Sequence, residues 1–206
     1  WERGEISTAL TALQRAVVIG RRQNDKPHLG DALYDYAGVL HAVARDRAAL
    51  KAVQEAHELR LAQMGPRHPL LGDTERLLGQ IEISLGQREQ GMAHLAQAVT
   101  LTRSGYGATH PNTREAELAL ARQQALEGDD SALLRLDALA GMPHSDRDLR
   151  RTAWRAQAYA AQLRCHGPDR VPALARLDTL QDQLKTAQPD GGAIPREVGA
   201  IVRGCG

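Results

Sequence analysis

Two cysteines, eight histidines and the scattered carboxylates are the side chains through which this sequence could catalyse, ligate or cross-link. Cys165 and Cys205 are the only cysteines, too few for a zinc site of their own and not spaced as a C-x-x-C redox pair. Two states stay open for them. In an oxidising compartment they form a disulfide tying the C-terminal tail to a helix end, and in the cytosol they are a buried thiol and a frayed one. The neighbouring Cys165 and His166 would offer a thiolate and its base. Adjacent residues at a helix end seldom point at one another, however, and no third residue orients the pair.

The other candidates read as structure. His68-Pro69 and His110-Pro111 each sit where a helix should open, a start signal more than a pair of ligands. Gly105-Tyr106-Gly107-Ala108-Thr109-His110 has the glycines of a phosphate loop, but no strand precedes it and no G-K-[ST] follows, so it is a turn. Asp129-Asp130 read as solvated caps of the following helix. His41, His57 and His94 stand singly on different helices, which gives no metal constellation. No cofactor is expected.

Charge narrows the partners. Lys plus Arg (26) nearly cancels Asp plus Glu (25), so no overall field draws nucleic acid or an anionic membrane. Arg21-Arg22 and Arg147, Arg150 and Arg151 are interrupted by acids and lack an aromatic ladder, as a solvated face does. No apolar run is long enough to span a bilayer. The opening WERGEIS has neither an initiator Met nor the regions of a signal peptide, and is read as a cut from a longer protein.

The elements that must hold these residues follow from composition and periodicity. Hydrophobic residues make up 42% of 206, aromatics only 3%, and Phe is absent. Alanine and leucine must therefore do the packing, which suits helices laid close together and disfavours sheet. Lys26-Pro27, His68-Pro69 and His110-Pro111 recur at 42 residues (69 − 27 and 111 − 69), the mark of a repeat array. Leu29-Gly30-Asp31 and Leu71-Gly72-Asp73 follow the first two prolines. Each proline opens a first helix. Leu33, Tyr36, Ala37 and Leu40 line one such face, and Leu71, Leu78 and Ile81 the next. Turns at Ala44-Arg45-Asp46 and Gly86 lead to second helices faced by Ala49, Val53, Ala56 and Leu59, then by Met92, Leu95, Val99 and Leu101. Each unit is a helical hairpin.

These residues resemble the tetratricopeptide repeats of the kinesin light chain type, whose H-P-x-x-A-x-x-L units also run for 42 residues. The small residues of that pattern fall at Ala37, Gly79 and Ala121 in first helices and at Ala56 and Ala98 in second ones. Lys26 departs from its His, Ala44 from its turn Gly, and Asp46, Arg88 and Asp130 from its Tyr. The resemblance implies an all-α fold, an α-α superhelix. Residues 1–24 are the second helix of a truncated repeat, with Leu10, Leu13, Ala16 and Val17 inward. Three repeats follow at 25–66, 67–108 and a shortened 109–143. A degenerate hairpin capped by Ser145 covers 144–188, with helices at 146–167 and 169–187, and a capping segment covers 189–206, with a short helix at 195–203. Trp154 and Tyr159 are expected in the core.

The resemblance also places a binding groove along the first helices. Its lining is expected from Asp31, Tyr34, Gly38 and His41, then Asp73, Arg76 and Gln80, then Glu115, Leu118 and Arg122. A protein or peptide segment is the expected ligand, and the function that of an interaction or sensor module in a larger, bacterial-type signalling or regulatory protein. The alternative is self-assembly, as a homodimer or larger oligomer. An enzyme is the least expected outcome. Bonded cysteines would imply an extracytoplasmic location, free ones a cytoplasmic one.

Overall fold

The computed structural model describes residues 3–142, 146–188 and 192–205, and among them every regular element is helical. In chain order these are α1 (Arg3–Gln23), α2 (Lys26–Ala42), α3 (Asp46–Met64), α4 (Pro69–Ser84), α5 (Arg88–Tyr106), α6 (Pro111–Leu126), α7 (Asp130–Ala140), α8 (Arg147–Arg164), α9 (Arg170–Ala187) and α10 (Ala193–Cys205). They fall into two compact units, residues 1–116 and 117–206.

In the first unit α2 pairs with α3 and α4 with α5, while α1 packs on α2. The starts are capped as the histidines suggested. His68 Nδ1 accepts from the Leu70 amide at 3.3 Å, and His110 Nδ1 from Asn112 at 3.2 Å. Lys26 cannot accept, so Asp25 takes the capping position for α2 and receives the His28 amide at 3.4 Å. The turns after α2, α4 and α6 each hold one left-handed residue, at φ +58° in Ala44, +82° in Gly86 and +88° in Gly128. Glycine adopts this freely. Alanine does so at a cost of about 1 kcal/mol.

The small positions are where helices touch. Ala37, Ala49, Ala56 and Ala98 are fully buried. Gly79 on α4 faces Gly91 on α5 so closely that a Cβ on Gly79 would lie 2.6 Å from the Gly91 carbonyl oxygen and 2.9 Å from Leu95 Cγ. Around these crossings Leu33, Leu40, Val53 and Ile81 fill one apolar cluster with Val17, and Leu10 packs on its edge. Each such side chain contributes about 1.5–3 kcal/mol by leaving water.

In the second unit α7 packs on α8, α8 on α9, and α10 on both α8 and α9. Helix α7 has 11 residues where α3 and α5 have 19. Ser145, expected to cap the next helix, lies outside the described residues, as does Pro143. Asp146 caps α8, accepting from the Asp148 and Leu149 amides at 2.7 and 3.3 Å. The last helix is longer than expected at both ends. Ile194, Val198, Ile201 and Cys205 recur every three or four residues and are all buried, which extends the helical stripe to the cysteine. Tyr159 lies in this core at 2% exposure and Trp154 packs against it half-buried.

Candidate functional site

The expected groove residues divide sharply. Asp31, Tyr34, Arg76 and Gln80 come together on the neighbouring helices α2 and α4. Arg76 donates to Gln80 Oε1 at 3.3 Å and to the Tyr34 hydroxyl at 3.4 Å. Its Nε is buried with no hydrogen-bond partner, a donor held out of water beside a half-buried phenol. Arg60, from α3, supports the patch from behind. It is only 4% exposed, donates to Asp31 at 2.8 Å and to Thr74 Oγ1 at 2.8 Å, and lies 4.5 Å over the Tyr34 ring. Beside it, burial pushes the Asp35 carboxyl up, Arg60 opposes that, and Asp31 adds to it.

The remaining expected residues have other duties. His41 meets Asp46 at 2.6 Å across the α2–α3 turn and fastens that corner. Asp73 is buried, accepting from the Tyr106 hydroxyl at 3.1 Å and from Asn112 at 2.9 Å, so it ties α4 to the following turn instead of lining an open wall. Burial raises its carboxyl and brings the Tyr106 hydroxyl to about 12. Leu118 was expected on the groove and is a core residue at 1% exposure, because the apolar stripe of α6 turns it into the second unit's cluster. Arg122 lies 4.2 Å over the Tyr159 ring with its Nε buried and unpartnered. Tyr159 in turn hydrogen-bonds Glu197, which Arg155 also engages at 3.2 Å. Glu115 is half-buried on α6.

Two histidines expected to stand alone do not. His57 from α3 and His94 from α5 both hydrogen-bond Glu75 of α4, His57 Nε2 at 2.9 Å, and His94 Nε2 also faces Glu82 at 3.5 Å. Burial works to raise Glu75, but the two imidazoles outweigh it and hold the carboxyl at about 2. The bond to Glu75 raises His94, while burial raises Glu82. The i, i+7 pair Glu75 and Glu82 on one helix face was the available signal. The two histidines come from separate hairpins, and pairing them needs the packing.

Cys165 and Cys205 are bonded to each other, with Cα atoms 5.5 Å apart, and join the C-terminal ends of α8 and α10. No helix among the described residues is long and apolar enough to cross a membrane.

No family model matches the sequence, and no curated protein does. Among solved structures, a point-substituted form of a Podosopora anserina kinesin light chain protein with nearly identical TPR-like repeats superposes with a TM-score of 0.65 at 17% identity, over 91% of each chain. The parent form of that protein gives 0.62 at 16% identity, over 91% of this chain and 90% of that one. Likeness at this identity speaks to the fold, and the 42-residue hairpins, their turn positions and their small-residue crossings say the same: this chain has the fold of TPR-like helical repeats.

Proposed function

We propose that the chain is a protein-interaction module that holds a peptide or protein segment on the α2–α4 face, within a larger bacterial-type signalling or regulatory protein. The observation that carries the reading is the Tyr34–Arg76–Gln80 patch, where a buried guanidinium Nε without a partner lies beside a half-buried aromatic ring. Tyr and Arg in desolvated surroundings are the residues that carry most of the energy at protein interfaces. A segment with a carbonyl or carboxylate for Arg76 and an apolar side chain for Tyr34 matches this surface. The bonded cysteines support an extracytoplasmic location for it. The test is capture of binding peptides from a random display library by the intact chain, repeated with Tyr34→Ala and Arg76→Ala. Peptides lost in both variants support the reading; a chain that enriches none, or whose ligands ignore both changes, overturns it.

Self-assembly is the second reading, favoured by Val18 and Ile19 standing 42% and 52% exposed on α1. Light scattering over a hundredfold range of concentration decides it. A mass that stays that of one chain excludes it.

A further inference from the structure

Helices α8 and α10 end at one point: Cys165 follows the last residue of α8 as its C-cap, and Cys205 is the last residue of α10. The last carbonyls of each helix lack intrahelical partners and carry partial negative charge, so a place where two such ends meet favours a cation. Arg164, the basic residue in the last turn of α8, is already engaged by Asp137 at 2.9 Å, and Arg203 is the basic residue in the last turn of α10. His166 follows Cys165 directly and is exposed, and the two sulfurs and a ring nitrogen of His166 all lie within 4.8 Å of one another.

We propose that the reduced chain binds one zinc ion through Cys165, Cys205 and His166, so that a thiolate–imidazole site replaces the disulfide as the tie between α8 and α10. Two thiolates and an imidazole are a donor set that suits zinc and disfavours the hard ions magnesium, calcium and manganese, and three protein ligands leave a fourth position for water or an external ligand. Tetrahedral zinc holds such ligands roughly 3.5–4 Å apart. The two sulfurs, on buried residues, must therefore separate once their bond is reduced, and the exposed imidazole must close in by about 1 Å. The inference does not rest on the groove.

The chemistry balances with a thiol reductant. Two equivalents of RSH donate two electrons to the Cys165–Cys205 bond, giving two cysteine thiols and RSSR. Zinc then enters as Zn²⁺, each thiol releases its proton to solvent, and neutral His166 supplies a lone pair, so one zinc is bound and two protons leave without redox change at the metal. Disulfide and zinc thiolate exclude one another. A chain made in a reducing compartment thus carries its C-terminal helix on zinc until a small-molecule disulfide RSSR takes two electrons from the thiolates, leaving as two RSH with two protons from solvent, so that Zn²⁺ is released and the Cys165–Cys205 bond forms.

The experiment titrates zinc chloride into the full chain by calorimetry, before and after reduction with a phosphine and desalting under inert gas. The expected result is one ion per reduced chain with two protons released, and none for the oxidised chain. Cobalt(II) in place of zinc gives a thiolate-to-metal charge-transfer band. His166→Ala forms the disulfide normally yet loses roughly tenfold or more in zinc affinity. Circular dichroism of the reduced chain with and without zinc guards against loss of fold, and zinc is expected to raise its Tm or restore its helicity. A reduced chain that takes up no zinc at micromolar concentrations, equal affinity in His166→Ala, or a reduced chain that stays unfolded with zinc overturns the proposal.

Discussion

Arg76 donates to the Tyr34 hydroxyl across a separation of 42 residues, one full period, so the same position in two consecutive repeats meets itself with different chemistry. At 3.4 Å the bond is long and contributes little to folding. Tyr34→Phe is therefore expected to change unfolding free energy by less than about 0.5 kcal/mol in urea titration. Tyr34→Ala removes the ring under Arg60 and costs more, about 1–2 kcal/mol.

Ala44 occupies the left-handed turn position that is glycine in the next two hairpins. Ala44→Gly is expected to stabilise the first unit by about 0.5–1 kcal/mol, since the relief of strain outweighs the added freedom of the unfolded chain. A lower Tm in this variant would show that the Ala44 side chain contributes more than its backbone costs.

Gly79→Ala drives a methyl group against the Gly91 carbonyl and Leu95. The expected loss is about 2–3 kcal/mol in thermal or urea unfolding, as for other overpacked cores. The matching position in the first hairpin tolerates Ala37, which is fully buried there.

The Glu75 cluster makes stability depend on pH in a definite direction. His94 is raised from 6.5, so its contribution is complete below that value and lost as pH rises through the folded value. Glu75 is lowered from 4.5 to about 2, so its contribution is complete above 4.5 and lost only as pH falls towards 2. Glu82, raised by burial, subtracts stability once it ionises. The first unit should be most stable between about pH 4.5 and 6.5, and His94→Gln should flatten the fall above that window. Tm measured from pH 4 to 9 checks both.

Replacing both cysteines by serine is expected to lower the stability of the second unit by about 2–4 kcal/mol, given a loop of 40 residues. Reduction without zinc should do the same.

The hairpins were legible in the sequence because proline, the turn residue and the small crossing residues recur at a fixed interval, and each has a local reason to be where it is. Which side chains gather on the first helices was legible only in part. Tyr34, Arg76 and Gln80 are gathered by two first helices in step with the period, whereas Asp73 and Leu118 hold equivalent positions and are buried. What separates them is the partner at the next turn: Asn112 and Tyr106 claim Asp73, and the apolar stripe of α6 claims Leu118. Periodicity says which residues share a face of a helix, but whether that face is covered depends on side chains a whole repeat away. The His57–Glu75–His94 contact was missed for the same reason, since it joins three helices from two hairpins.

The Gly79–Gly91 crossing bears on how the first unit opens. Two backbones pressed this close leave no room for solvent between α4 and α5, so the amides there can meet water only when the hairpin comes apart as a whole. In hydrogen–deuterium exchange these two helices should form the slowest-exchanging block of the unit, the last to open and the part around which the rest reassembles.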